Sequence, residues 1–557
     1  MAAPLPAAPD TGRPAATKRY GWLRQGALLV LAVGCGMLVA NNPFRPSSDN
    51  PDATARGYLR FKEILSYVDR DYADSVDTDR LADYAVAQML EKLDPHSVYI
   101  PARDREKSDA FLQSDFDGIG IEFNLFRDTM TVVAPLSGGP AEQAGVQPGD
   151  QVMSIANRRV SGAHLTMSRL TELLRGPRGS TVSMELRRRG LARPLLLSIA
   201  RSRIANSSVD AAYLVDDQTG YIKVSRFASN TYDEFKAALI DLRRQGLTRL
   251  VLDLRGNPGG YLDRATRLAD EFIGGSRKIV YTDGKGEHYD SQTYARVAGE
   301  FEQGALVVLV DEGSASAAEV VAGALQDHDR AILVGRRTFG KGLVQQPIAL
   351  SDGGELRLTI ARYYTPSGRS IQKPYGASHA DYSRDLANRL TNGELTTADS
   401  VRFAKELRFR TDHGRVVYGG GGIMPDVFVP RDTLAHSAYF TKLMSHGVAR
   451  AYALAFYQAN KAELEGLRFE QFNATFRITD AQLVSLAAQA AQAGAKTDAA
   501  AMRRCAPLLR NQLKAFIARS AYGPVAYYTV LREQDPELQR ALHAVGDSTA
   551  QLALLGK

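Results

Sequence analysis

Two segments of this sequence pair a hydroxyl with an amine, and together they have the makings of acyl transfer. The first, Asp311-Glu312-Gly313-Ser314-Ala315-Ser316-Ala317-Ala318-Glu319, follows an apolar run and opens a helical pattern, which sets Ser316 at a helix start. The unpaired N–H groups and partial positive charge of a helix amino terminus can stabilise an oxyanion forming beside such a serine. The same position suits a plain N-cap, so the segment alone does not decide. The second, Thr338-Phe339-Gly340-Lys341-Gly342, comes after the next apolar run and puts Lys341 twenty-five residues beyond Ser316. Flanking glycines let backbone approach closely, and a desolvated lysine sheds its charge, leaving an amine able to take a proton from a hydroxyl. A solvated turn or a phosphate contact would use the same residues, but a Walker loop needs Ser or Thr where Gly342 stands. A third segment, Asp253-Leu254-Arg255-Gly256-Asn257-Pro258-Gly259-Gly260-Tyr261-Leu262, offers glycine-rich backbone that can aim N–H groups at an oxyanion or make a tight strand-to-helix turn.

Among the nine histidines, His328 is the nearest in sequence to Ser316. It lies twelve residues along the helix that Ser316 begins, about 18 Å away at ~1.5 Å per residue, so a Ser-His-Asp triad through it is not expected. Neither a His-Glu-x-x-His motif nor clustered Cys/His spacing marks a metal site, and serine/lysine chemistry needs no metal or other cofactor.

These segments need a scaffold that brings them together. Apolar runs at 220–224, 250–254, 306–310 and 331–334 alternate with helical patterns. One helix is opened by Thr231 and Glu234 at capping-box spacing, with Phe235, Ala238, Leu239 and Leu242 as its buried stripe; another covers 317–326. The alternation predicts a layered α/β core whose loops converge at one sheet edge. Upstream, 118–201 reads as short strands at 119–123, 130–133, 152–155, 182–186 and 195–199, with helices at 140–144 and 167–174. Leu59, Ile64, Leu65 and Val68, then Leu81, Tyr84, Ala85, Met89 and Leu93, predict two amphipathic helices, the second stopped at Asp94-Pro95. Residues 43–54 are Pro/Ser/Asp/Asn-rich and read as a linker. Beyond 432, Ala/Leu/Gln-rich stretches at 481–491 and 502–518 predict a helical tail.

A chain of 557 residues exceeds one core, and 44% hydrophobic with 24% charged residues excludes wholesale disorder and a polytopic membrane protein. Its 69 basic and 62 acidic residues are interspersed, so the net +7 describes a solvated surface and not a nucleic-acid stripe. Cys35 and Cys505 make no disulfide framework, because Cys35 sits in the apolar amino-terminal run. Lys18, Arg19 and Arg24, then apolar residues 26–40, then Asn41-Asn42-Pro43, follow the order of an export signal. Fifteen apolar residues fall short of the ~20 that span a bilayer, leaving a cleaved signal and an uncleaved anchor both open. Leu38 stands where cleavage prefers a small residue, which favours the anchor, and Ala32-Val33-Gly34 before Cys35 makes only a weak lipoprotein pattern. With the basic residues on the amino side, the body is expected outside the cytoplasm, at the membrane face or in a periplasm.

Residues 55–430 resemble the carboxyl-terminal processing, or tail-specific, serine protease family with its PDZ domain. The matching pieces, in shared order, are Leu93-Asp94-Pro95-His96-Ser97, Gly118-Ile119-Gly120-Ile121, 253–260, 313–319, 338–345 and Tyr363-Tyr364-Thr365-Pro366-Ser367-Gly368. The resemblance implies a PDZ domain at 116–204 and a crotonase-like protease core at 205–431 in a multidomain α/β chain, to which the sequence pattern adds a cytoplasmic tail 1–25, an anchor or signal 26–40, a helical segment 55–115 and a helical domain 432–557. It makes Ser316 the nucleophile and Lys341 its general base, with Gln345 one helical turn on to orient the lysine. Asp327 becomes a supporting acid, and the oxyanion hole uses the N–H of Ala317 and of Gly259 or Gly260. Ala318 departs from the serine that many members carry.

In the PDZ-like part, Gly118, Ile119, Gly120 and Ile121 match the loop that takes a terminal carboxylate, with Pro140-Ala141-Glu142-Gln143-Ala144-Gly145 and Pro148-Gly149-Asp150 as its helix and turn. There a peptide adds as a strand. Arg175 falls at a position that gates some relatives. The implied function is an exported endopeptidase acting on protein substrates with free apolar carboxyl termini. Implied partners are the membrane through 26–40 and a homodimer or adaptor protein, with residues 432–557 outside the resemblance and no nucleic acid. Two competing functions, a silent PDZ scaffold and a crotonase-like acyl-CoA enzyme, are separable by an active-site serine probe and an acyl-CoA binding assay.

Overall fold

The computed structural model describes residues 51–557 except 127, 137, 163, 376–378, 434, 493–497 and 557. The apolar run at 26–40 and Cys35 lie outside the described residues, and among those described no helix is long and apolar enough to cross a membrane. The chain divides into two units after Tyr84. In the first, helix Pro51–Asp71 begins inside the stretch expected to be linker, and Tyr58, Leu59 and Ile64 on it are exposed.

The second unit is built on a six-stranded sheet in the order Val209–Leu214, Thr219–Val224, Arg249–Asp253, Ala305–Val310, Ile332–Gly335, Val427–Phe428. The first pair is antiparallel and the rest are parallel. Continuous aliphatic runs make this possible, because a parallel strand is buried on both faces. Helices Thr231–Arg244, Leu262–Asp270 and Ala317–Asp327 cover one face, and helix Pro536–Gly546 covers the other through Leu538, Ala541, Ala544 and Val545. The expected capping box at Thr231 and Glu234 does not form. Glu234 Oε2 instead accepts from Ser208 N (2.8 Å) and Ser208 Oγ (2.9 Å), while Oε1 accepts from Asn230 Nδ2 (2.7 Å). Buried donors entering the core thus outcompete the local one.

A second, antiparallel sheet joins Val98–Ile100, Glu355–Tyr364, Lys278–Gly284 and Ser291–Tyr294, with Leu343–Ala349 also paired to Glu355–Tyr364. A third sheet, upstream in the chain, runs Ile121–Phe126, Thr129–Pro135, Gln151–Ile155, Thr181–Arg187, Leu195–Ala200, so Ile121–Phe126 is an edge strand. Helices Ala438–Ser445, Val448–Ala459, Asp480–Gln492 and Ala499–Tyr522 form a separate apolar cluster. They reach this edge strand through Glu122, which pairs with Arg519 (2.8 Å) and Arg450 (3.5 Å).

Helix Ala317–Asp327 ends in a buried ion pair, Asp327 Oδ1 to Arg369 Nη2 at 2.7 Å with side chains 1% and 0% exposed. Asp327 Oδ2 also accepts from Ser367 N at 3.0 Å, so this residue fixes the turn after Tyr363-Tyr364 and stands at the opposite end of the helix from Ser316. Asp327→Ala leaves the guanidinium buried without its partner and is expected to cost about 3–5 kcal/mol, read as a lowered urea midpoint.

Candidate active site

Three neighbouring parallel strands, Arg249–Asp253, Ala305–Val310 and Ile332–Gly335, release their chains at the same sheet edge into the loops carrying Gly259 and Gly260, Ser316, and Lys341. Carboxyl ends of parallel strands are where α/β sheets place ligands. Ser316 sits immediately before helix Ala317–Asp327 with φ 54° and ψ −118°, a left-handed conformation uncommon for a residue with a side chain. Such strain persists only where surrounding contacts over-determine it.

Glu319 and Tyr363 supply those contacts. The Glu319 carboxylate is 0% exposed and accepts from the backbone N–H of Ser316 (2.8 Å), Gly340 (2.7 Å) and Lys341 (2.8 Å), and from the Thr338 hydroxyl. Burial pushes its carboxyl above the usual range despite those donors. The Tyr363 hydroxyl donates to the carbonyl of Ser316 at 3.0 Å and also to that of Lys341. Burial raises this phenol well above its ordinary value, so it stays a donor. Neither function was readable from the sequence, where Glu319 fits an ordinary cap and Tyr363 is one more aromatic in a strand.

Lys341 Nζ donates to Gln345 Oε1 at 2.8 Å. Burial lowers the pKa of the amine, against the opposing pull of Asp94 and Glu319 and with help from the Arg357 cation. Gln345 is not one helical turn on: it lies in strand Leu343–Ala349, where the register shifts between Val344 and Gln345. A bulge of this kind re-aims a side chain. The Gln345 amide in turn donates to the His96 carbonyl. That carbonyl is held by its neighbours, since Asp94 accepts from His96 N (2.8 Å), Ser97 N (2.8 Å), Ser97 Oγ (2.6 Å) and Thr359 Oγ1 (3.1 Å). Burial alone would raise the Asp94 carboxyl, but these donors outweigh it and keep the pKa below the usual range.

Ser316, Ala317, Gly260, Lys341, Gln345 and Tyr363 line one cavity of about 540 Å³, with Phe111, Leu112, Tyr261, Leu262 and Val344 as an apolar wall. The Gly259 N–H is already donated to Asn257 Oδ1 at 2.9 Å, and a Cβ at Gly259 would lie 2.8 Å from that of Ser316. Ala318 is fully buried. His328 caps the far end of the helix, where its ring pairs with Asp412 (2.8 Å) and the Lys278 carbonyl (2.6 Å), so it stands apart from Ser316.

In the domain expected at 116–204, the 118–121 loop leads into the edge strand, and helix Met167–Leu174 is capped by Thr166. Arg201 reads the end of that helix, donating to the carbonyls of Leu174 (3.0 Å) and Leu173 (3.1 Å). Arg175 lies over the Phe116 ring at 4.8 Å and 4.0 Å from Glu106.

Residues 218–379 match the model of peptidase family S41, residues 131–188 that of a PDZ domain, and residues 439–523 a family of unknown function (DUF8443). Together with the fold, these matches define a serine peptidase carrying a PDZ domain. The chain is 37% identical over 390 residues to the carboxy-terminal-processing protease of Bartonella bacilliformis, covering 69% of this chain and 87% of the relative. It is 33% identical over 317 residues to the carboxy-terminal processing protease CtpB of Bacillus subtilis, covering 56% and 65%. Among solved structures, a photosystem II D1 C-terminal processing protease is 26% identical with a TM-score of 0.34, covering 68% of this chain and 94% of that one. The chain belongs to peptidase family S41, among the carboxy-terminal-processing proteases.

The Lys341 pKa is lowered by folding from 10.5, so between the folded and unfolded values the unfolded chain binds more protons and stability rises with pH. Below the folded value the penalty is fully present. Lys341→Met is therefore expected to raise the melting temperature at neutral pH, with an advantage that shrinks as pH climbs towards 10.5. Melts across pH check this.

Proposed function

We propose that this chain is an exported endopeptidase in which Ser316 attacks the scissile carbonyl and Lys341, as the neutral amine, accepts its proton. The supporting observation is one cavity that joins a serine at a strained helix start, an amine whose charged form burial disfavours, and Gln345 fixing that amine at 2.8 Å. As the Ser316 Oγ–carbon bond forms, the proton passes to Lys341 Nζ and negative charge develops on the carbonyl oxygen. The Ala317 N–H at the helix start and the Gly260 N–H receive that charge, Gly259 being committed to Asn257. Lys341 then protonates the amide nitrogen as the carbon–nitrogen bond breaks. Water, deprotonated by the same amine, releases the acyl group and regenerates the serine. Asp327 supports the site from a distance, through the turn at Ser367 and Arg369.

Substrates on this reading are proteins with free apolar carboxyl termini, whose last carboxylate meets the N–H groups of Gly118, Ile119, Gly120 and Ile121 while the tail pairs with the edge strand Ile121–Phe126. Arg175, stacked on Phe116 just ahead of that loop, is assigned to relay its occupancy. Residues 26–40 hold the enzyme at the extracytoplasmic membrane face, the basis being Lys18, Arg19 and Arg24 ahead of the apolar run. Exposed Tyr58, Leu59 and Ile64 on helix Pro51–Asp71 offer an apolar face to a second copy or an adaptor protein.

Terminal proteomics of cells carrying wild type or Ser316→Ala tests the reading as a whole. New carboxyl termini should vanish in the variant, and identical profiles would overturn it. Lys341→Ala is expected to lower kcat by about 10²–10⁴-fold while His328→Ala keeps the wild-type rate; the reverse result ends the dyad. Amidating a substrate's carboxyl terminus should sharply slow its cleavage, and an unchanged rate would count against carboxylate capture.

A further inference from the structure

Helix Pro536–Gly546 lies beyond both the peptidase match and the family of unknown function. Its apolar side packs on the parallel sheet, and its amino end carries two carboxylates into the roots of the catalytic loops. Asp535 caps the helix, Oδ1 accepting from Leu538 N at 2.9 Å. The same carboxylate forks onto Arg255, Nη1 to Oδ1 at 2.9 Å and Nη2 to Oδ2 at 2.8 Å. Glu537 accepts from Arg255 and from Arg336. Arg336 Nε also donates to Glu312 at 2.7 Å, and Arg255 to Asp253 at 2.6 Å.

Each of these partners begins a different loop. Arg255 enters the glycine turn at 256–260, Glu312 enters the turn to Ser316, and Arg336 enters the 338–342 loop. The side chains are shielded, with Arg336 8%, Glu537 12%, Arg255 15% and Asp535 18% exposed, so screening by solvent is weak. A bidentate guanidinium–carboxylate fork also fixes direction as well as distance.

We propose that Asp535 and Glu537 are positioning residues for catalysis, setting the oxyanion glycine turn against the serine and lysine loops. The proposal rests on the assignment of Ser316 and Lys341. Misplacing reacting groups by about 1 Å can cost 10²-fold in rate. Loss of one charged tie among several is expected to cost less than that.

The test uses the full chain, a peptide substrate and the rate of labelling by a fluorophosphonate serine probe, at a temperature where melts show every variant folded. Glu537→Gln and Asp535→Asn keep shape, and asparagine keeps the cap. Each should lower kcat and probe labelling about tenfold with KM within twofold of wild type. Leu538→Ala, which removes apolar packing but no carboxylate, should lower the melting temperature more than Glu537→Gln while keeping kcat. The exposed Arg540→Ala should change neither. Wild-type kcat in both carboxamide variants, or a kcat loss in Leu538→Ala that matches theirs, overturns the proposal. Retained activity in Ser316→Ala would instead sink the assignment beneath it.

Discussion

Ser316 and Lys341 come from different loops, and what makes them neighbours is that two buried side chains each hold both of their peptide groups. Glu319 takes the two N–H groups and Tyr363 supplies a hydroxyl to the two carbonyls. Hydrogen bonds in a dry interior are strong and mutually reinforcing, and an unmet partner there is costly, so neither loop can shift without breaking several bonds together. That stiffness is what a serine at positive φ requires. It also explains why the lysine can be buried: its backbone is anchored through Glu319 independently of its amine, which donates to Gln345.

The parallel sheet does the coarse work of convergence. Its central strands end together, and their last residues meet a polar layer in which Asp253 accepts from Tyr221 (2.7 Å), Lys223 (3.1 Å) and Arg255 (2.6 Å). Burial would raise that carboxyl, but the two cations hold it far below the ordinary range, so it stays charged and keeps its donors in place. The antiparallel sheet contributes the other half of the site, bringing Gln345, Thr359 and Tyr363 from strands that pair with one another or lie along one strand. The 93–97 segment then closes the network by presenting a carbonyl to Gln345.

Much of this scaffold was legible because its strands are continuous aliphatic runs bounded by glycine and charge. The runs at 250–254 and 306–310 are observed as Arg249–Asp253 and Ala305–Val310, and the helix expected over 317–326 extends one residue further. Where local pattern and tertiary demand diverge, the pattern misleads. Glu234 sits at a capping spacing but serves Ser208, and Gln345 sits four residues after Lys341 yet lies in a bulged strand. The Glu319 and Tyr363 ties, like that of Glu537 to Arg255 and Arg336, leave no periodic trace. They join residues far apart in the chain, and each residue type has an ordinary local explanation.

The PDZ strand Ile121–Phe126 ends its sheet, so one row of its backbone groups faces away from Thr129–Pro135. A guest strand laid along that margin would present alternate side chains to the domain and the others to water. Discrimination would then be confined to every second residue from the terminus, with main-chain bonding indifferent to sequence.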